Sequence, residues 1–135
     1  MTEQVHATES GLRGTLFPPD GQPPFAHCVL AEVDGTIAGF ALYFFNYSTF
    51  LGKPGLYLED LFVRPELRGR GIGKALLLHL ARVANEKGCG RMEWAVLDWN
   101  APAIAFYESL GARRLPEWQL CRLAGPALEQ YASRL

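Results

Sequence analysis

The chain has 135 residues, 49% hydrophobic and 20% charged, with a formal net charge of −1. That is apolar material for one ordinary domain, and it excludes a disordered tail. The near-neutral balance excludes a nucleic-acid platform or a polybasic membrane anchor, and no apolar run approaches the ~18 residues of a membrane span. The opening MTEQVHATES lacks the basic and apolar blocks of a secretory leader, and the three cysteines (Cys28, Cys89, Cys121) are odd in number and scattered. A cytoplasmic protein with reduced thiols is therefore expected. His6, His27 and His79 have no ligand spacing, so no metal is expected.

In chain order, ATESGLRGTLF suggests one short helix, and Pro18, Pro19, Pro23 and Pro24 then force a loop. Residues 25–33 form a first strand, Asp34-Gly35 a two-residue hairpin turn, and the aromatic-rich 36–48 a second strand. A loop with Gly52, Pro54 and Gly55 leads to a third strand at 56–63, ended by Pro65. Residues 72–88 form a helix with an apolar stripe of Leu76, Leu77, Leu80, Val83 and Ala84, closed by Gly88. A fourth strand is expected at 91–99, then a helix at 101–111 with Asn100 as N-cap, Pro102 in its first turn and Gly111 at its end. One or two strands around Trp118 to Leu123 and a short C-terminal helix complete the reading. This order predicts a mixed sheet with packed helices, α+β or α/β in character. The helical crossover makes the third and fourth strands parallel, with a right-handed connection.

The stretch Arg68-Gly69-Arg70-Gly71-Ile72-Gly73-Lys74 lies between a strand and a helix. It fails the dinucleotide pattern G-x-G-x-x-G because position 74 is Lys, and it fails the P-loop because position 68 is Arg and position 75 is Ala. What remains is a nest of N–H donors at a helix N-terminus, with Arg68, Arg70 and Lys74 as mobile positive charges. A pyrophosphate matches such a site in shape and charge. A glycine-rich turn that binds nothing is the alternative. Within the third strand, Glu59 and Asp60 interrupt an apolar run. They are either a solvated pair on an edge strand or, with Leu58, Leu61, Phe62 and Val63 around them, buried carboxylates awaiting a cationic partner. Alternation leaves neither face of this strand cleanly polar, which a bulge near Asp60–Leu61 would explain.

The stretch LEDLFVRPELRGRGIGKALL resembles the acetyl-CoA-binding motif of the GNAT N-acetyltransferases, with the signature Q/R-x-x-G-x-G/A at Arg68-x-x-Gly71-x-Gly73. FAHCVLAEV, AGFALYFFNYSTFLGK, LYLEDLFV and WNAPAIAFYESLGA are similar, in that order, to the diamine acetyltransferases of the spermidine/spermine and thialysine type, over roughly residues 3–123. The resemblance implies a mixed, mostly antiparallel central sheet with a parallel, splayed strand pair and helices on both faces, in one domain spanning 1–135. It implies acetyl transfer from acetyl-CoA to a primary amine of a small molecule, in a homodimer. The loop from Arg68 through Gly69, Arg70, Gly71, Ile72 and Gly73 to Lys74 would hold the CoA pyrophosphate. Leu61, Phe62, Val63, Asn100, Ala103 and Phe106 would contact the rest of the cofactor, and a bulge would aim the Leu61 and Val63 amides at the pantetheine arm and the acetyl carbonyl. Glu59 takes the substrate-amine role, with proton removal through water, and Tyr107 is the acid that protonates the CoA sulfur. Asp60, Glu93, Trp94 and Trp118 are the further candidates for binding the amine.

The chain departs from the family pattern in two places. It begins at what corresponds to the second helix, so a strand and a helix are missing; a truncated reading frame, a trimmed enzyme, and a sheet edge completed by another chain all fit. Ser48 and Phe50 stand where the polyamine-binding loop tends to carry an acid and a tryptophan. A small mono- or diamine or a lysine-like amino acid is therefore expected rather than a long polycation. Acetylation of a protein or peptide amine, and a non-catalytic CoA-binding module, are the rival functions.

Overall fold

Asp34 and Gly35 both have positive φ, 51° and 77°, and this two-residue turn matches the twist of the strands it joins. In the computed structural model, which describes residues 6–132, those strands are β1 (His27–Val33) and β2 (Thr36–Ser48). They follow helix α1 (Glu9–Leu16) and precede β3 (Lys53–Val63), α2 (Ile72–Glu86), β4 (Arg91–Glu93), α3 (Ala101–Ser109) and the short α4 (Pro126–Glu129). The chain forms two compact units, Met1–Ala95 and Val96–Leu135. The first holds a sheet in the order β1-β2-β3-β4, antiparallel except for the β3–β4 pair. The α+β class and the parallel crossover pair are as the sequence predicts.

Register and alternation sort the side chains of the sheet. His27, Val29 and Ala31 pair with Tyr43, Ala41 and Gly39, which in turn meet Leu58, Leu61 and Val63. This face receives α2, whose Leu76, Leu77, Leu80 and Ala84 are buried with Ala41, Leu56 and Leu58. The predicted stripe is the buried one, and Val83 is half-buried. Gly88, at φ 74°, lets the Cys89 N–H turn back to the Ala84 carbonyl at 2.9 Å and ends the helix. On the opposite face, Phe40 stacks near Phe62 at 5.9 Å and Phe44 near Tyr57 at 5.2 Å.

Four local expectations change. β3 begins at Lys53, three residues early, because Pro54 needs no N–H there and its carbonyl accepts from Gly90 N at 2.9 Å. The bulge falls one residue earlier than predicted: Tyr43 pairs with Leu58 and Leu42 with Asp60, so Glu59 is the extra residue. β4 stops at Glu93 rather than running to 99, pairing only at Gly55–Arg91, Leu56–Met92 and Tyr57–Glu93. The bulge follows Tyr57 closely, and a bulged strand bends, so the two parallel strands part there. Within the second unit, no strand forms around Trp118 to Leu123; these residues are exposed, Trp118 N bonds Leu115 O at 3.2 Å in a turn, and no strand pairs with them among the described residues.

Among the described residues no helix is long and apolar enough to cross a membrane, and no group of three or more His, Cys, Asp or Glu is placed to hold a metal. Cys28 and Cys121 are exposed and Cys89 half-buried, all as free thiols.

Leu80 is fully buried whereas Leu78 on the same helix is 49% exposed. Leu80→Ala is expected to cost about 2–5 kcal/mol in urea unfolding and Leu78→Ala about 0.5 kcal/mol or less. Equal losses would show that α2 does not hold the sheet by this face.

Candidate active site

In the first unit, the open edge of β3 supplies backbone donors. Arg64 N donates to Ala38 O at 2.8 Å, so this residue faces β2. Alternation then turns Phe62 toward β2 and directs the N–H groups of Leu61 and Val63 to the other edge. No strand pairs with that edge beyond Tyr57 among the described residues. The Val63 carbonyl, on the same edge, accepts from Arg68 Nε at 2.9 Å, and the Arg68 guanidinium lies 5.6 Å from the Phe62 ring centroid. Arg68 is therefore tethered to the end of β3, not a mobile charge.

The chain next turns through Gly69 and Gly71, at φ 82° and 80°, a region that costs other residues about 1–3 kcal/mol. A Cβ at either would meet nothing within 4 Å, so the loop presents bare backbone. Gly71 is the N-cap of α2 and no side chain caps the helix. The first helical bond runs from Ala75 N to Gly71 O at 3.0 Å, which leaves the amides of Ile72, Gly73 and Lys74 without intrahelical acceptors. Arg70 and Lys74 are exposed beside them. Gly73 has ordinary φ, and a Cβ there would sit 3.8 Å from Val63 Cγ2, so position 73 has room for alanine whereas position 71 needs glycine.

The carboxylates lie along the same strand. Glu59 and Asp60 are both exposed, so the buried alternative is wrong for this chain: the bulge turns two consecutive side chains out of the apolar run. Tyr57 stands between carboxylates. Burial pushes its phenol above the ordinary tyrosine value, and the charges of Glu59 and Glu93 raise it further. Glu93 is half-buried beside Tyr57 in the parallel register and meets Arg91 Nε at 3.3 Å. Trp94 is half-buried just past the end of β4. Asn46 pairs with Gly55, which pairs with Arg91. The Asn46 amide lies over Gly55 where a Cβ would be, and its Oδ1 is buried with no hydrogen-bond partner, a state that costs about 1–3 kcal/mol. Tyr57, Arg91 and Asn46 are additions to the predicted set. Only Tyr57 carried a local signal, as the aromatic two residues before Glu59.

In the second unit, Asn100 caps α3 as predicted, its Oδ1 accepting from Ala103 N at 3.3 Å while its amide N–H groups remain for other acceptors. Phe106 and Tyr107 are half-buried with ring centroids 5.6 Å apart. Burial raises the Tyr107 phenol above the ordinary value. Gly111, at φ 94°, reverses the chain so that Ala112 N reaches Tyr107 O at 3.1 Å, fixing the backbone that carries the phenol. Trp118 is 74% exposed.

Known proteins give this geometry its context. The Acetyltransferase (GNAT) family profile matches residues 4–112. The chain is 39% identical over 145 residues to a thialysine N-epsilon-acetyltransferase of Bos taurus, covering 99% of this chain and 83% of that protein. It is 52% identical over 96 residues to an L-ornithine N5-acetyltransferase of Arabidopsis thaliana, covering 71% of this chain and 42% of that protein. Among solved structures, an integron cassette protein from the mobile metagenome of V. cholerae superposes with TM-score 0.78 and 30% identity, covering 94% of this chain and 79% of that one. The chain belongs to the GNAT family of acetyltransferases and is an N-acetyltransferase. Enzymes of this family use acetyl-CoA as co-substrate.

Gly71→Glu is expected to abolish CoA binding, by strain at φ 80° and by setting a carboxylate against a diphosphate, whereas Gly73→Ala keeps affinity within a few-fold. Isothermal calorimetry with CoA decides this; equal affinities in the two variants would refute the loop assignment.

Proposed function

We propose that the chain transfers an acetyl group from acetyl-CoA to the primary amine of a small molecule, a diamine, polyamine or lysine-like amino acid. The reading rests most directly on the line of backbone donors from Leu61 and Val63 to the α2 N-terminus. The residues fit the coenzyme. The open glycine turn and the amides of Ile72, Gly73 and Lys74 would hold its diphosphate, with Arg70 and Lys74 adding charge. The edge amides of Leu61 and Val63 would receive the pantetheine amide and the acetyl oxygen, and Asn100, Ala103 and Phe106 would contact the arm. When bound, the coenzyme supplies the activated acetyl group as a thioester.

The chain's own residues do the rest. An alkyl amine near pKa ~10 is almost wholly protonated at pH 7, so a carboxylate must help to remove its proton. Glu59, lifted from the strand by the bulge, takes that role through water, and Asp60, Glu93, Trp94 and Trp118 supply charge and aromatic surface for the amine. Tyr107 donates a proton to the departing sulfur. Its raised pKa keeps that proton in place to a higher pH than an ordinary phenol would.

The similarity to thialysine and L-ornithine acetyltransferases supports a small amine as acceptor. The Ser48 and Phe50 positions support a short acceptor over a long polycation. We also assign the chain to one acetyltransferase domain that works in the cytoplasm as a homodimer; the exposed aromatic stretch, with Tyr47 at 62% and Phe50 at 96%, supports the homodimer.

The test is turnover of acetyl-CoA by the purified chain with a panel of amines, with solution mass measured in parallel. Tyr107→Phe is expected to lower kcat by about 10²–10⁴-fold with little change in KM for acetyl-CoA. The high-pH loss of wild-type activity due to Tyr107 is expected above the ordinary phenol value of ~10, because deprotonation removes the acid and burial delays it. No turnover with any amine, or an unchanged kcat in Tyr107→Phe, would contradict the reading.

A further inference from the structure

β1 is an outer strand of the sheet, and the hydrogen bonds of the first unit fix which residues line its free side. Arg64 N donates to Ala38 O at 2.8 Å, whereas Val63 O is taken by Arg68 Nε at 2.9 Å. β3 therefore bonds β2 at Ala38 and not at Gly39, the residue opposite Val63, so Gly39, Ala41 and Tyr43 turn to β1. Their partners Ala31, Val29 and His27 bond back to them. The N–H and C=O groups of Cys28, Leu30 and Glu32 then point the other way, to a side on which no strand lies among the described residues. These same residues are the exposed ones along β1.

Soluble proteins blunt such an edge with lysine, proline or a bulge. β1 reads HCVLAEV, whose one acid is Glu32 and which has neither lysine nor proline. The irregularity beside it belongs to its neighbour: Ala31 meets Gly39 and Glu32 meets Ile37, so the extra residue is Ala38 of β2, and β1 carries no bulge. α2 lies mainly over β2 and β3, away from this edge. On the face opposite α2, an apolar row crosses the sheet from Phe62 to Phe40, 5.9 Å away, and on to Leu30. Phe62 is 40% exposed and Leu30 56%, so the row stops in the open at the edge of β1.

We propose that a second copy of the chain closes this edge, its β1 pairing antiparallel with β1 about a twofold axis at Leu30. Only registers that oppose even-numbered residues to even-numbered ones join the outward-pointing groups. The register that sets Leu30 against the partner's Leu30 also sets Cys28 against the partner's Glu32, and the reverse. Every outward residue then exchanges bonds, about six N–H···O contacts in all. Sliding the strands toward their C-terminal ends brings Glu32 against the partner's Glu32, two carboxylates face to face. Sliding them the other way leaves Glu32 without a partner and joins fewer groups. In the centred register no like charges meet, and the apolar row runs unbroken from Phe62 of one copy to Phe62 of the other. The two four-stranded sheets become one. This gives the homodimer assigned above a surface, and it uses no part of the acetyl-transfer chemistry.

Sedimentation equilibrium of the full chain is expected to show a dimer at micromolar concentrations. Leu30→Lys, which opposes two ammonium groups, is expected to weaken that dimer about tenfold or more while the circular dichroism of the folded chain is kept. Crosslinking reads the register. Leu30→Cys in a Cys28→Ser, Cys121→Ser background sets two thiols opposite each other with Cα atoms about 5.5 Å apart, inside the range of a disulfide, and is expected to link the copies under mild oxidation. In a chain altered only by Cys121→Ser, Cys28 lies about 14 Å along the strands from the partner's Cys28 and is expected to give no link. A monomer, a dimer untouched by Leu30→Lys, or linkage through Cys28 in place of Leu30→Cys would overturn the proposal. Should Leu30→Lys fail to fold, the crosslink decides alone. A monomer that turns over acetyl-CoA would remove this interface and leave the acetyltransferase reading intact; a dimer linked through Leu30→Cys with no turnover would do the reverse.

Discussion

The first unit leaves two groups of backbone N–H donors without a backbone acceptor, Leu61 and Val63 on the open edge of β3 and Ile72, Gly73 and Lys74 at the start of α2. β3 loses its parallel partner after Tyr57, so the donors of Leu61 and Val63 face an edge with no strand upon it among the described residues. The chain then passes through two left-handed glycines into a helix whose first amides have no cap. Each feature alone is ordinary. Joined by a ten-residue path from the edge of a strand to a helix N-terminus, they form an extended row of fixed positive ends. An extended acceptor-rich arm ending in a diphosphate would satisfy such a row, as proposed above, and enzymes of the family to which the chain belongs use acetyl-CoA, which carries one.

The bulge at Glu59 connects this row to the chemistry. It falls two residues after the last parallel bridge, where it parts β3 from β4 and turns two carboxylates outward together. One irregularity thus opens the slot and supplies the acid residues beside it. Tyr57, held against Phe44 and between Glu59 and Glu93, joins that acidic stretch to the polar row of Asn46, Gly55 and Arg91. In the second unit, burial around Tyr107 favours the neutral phenol, which suits a proton donor better than a base.

Much of this was legible in the amino-acid order wherever the cause is local. The Asp34-Gly35 turn, the stripe on α2, the Asn100 cap and the left-handed glycines each depend on a few neighbouring residues. The parallel pairing was legible through the helical crossover. What was missed depends on partners distant in sequence. The length of β4 is set by where β3 bends, so nine strand-like residues gave three. The strand-prone stretch at Trp118 to Leu123 has no partner and stays irregular. Glu59 and Asp60 lie among apolar neighbours in sequence yet face solvent, because a single inserted residue changes which way they point. Arg91 and Glu93 reach Gly55 and Tyr57 only through the parallel register, and Asn46 reaches Gly55 through the antiparallel one; no short motif encodes either.

The most direct test of the central claim is a backbone amide ¹H–¹⁵N titration of the chain with CoA. The account predicts that the largest shifts fall on Leu61, Val63, Gly69, Gly71, Ile72, Gly73 and Lys74, and that inorganic pyrophosphate reproduces those in the 69–74 turn alone. Saturable CoA binding that leaves the turn amides unmoved, with the shifts gathered elsewhere in the chain, would contradict it.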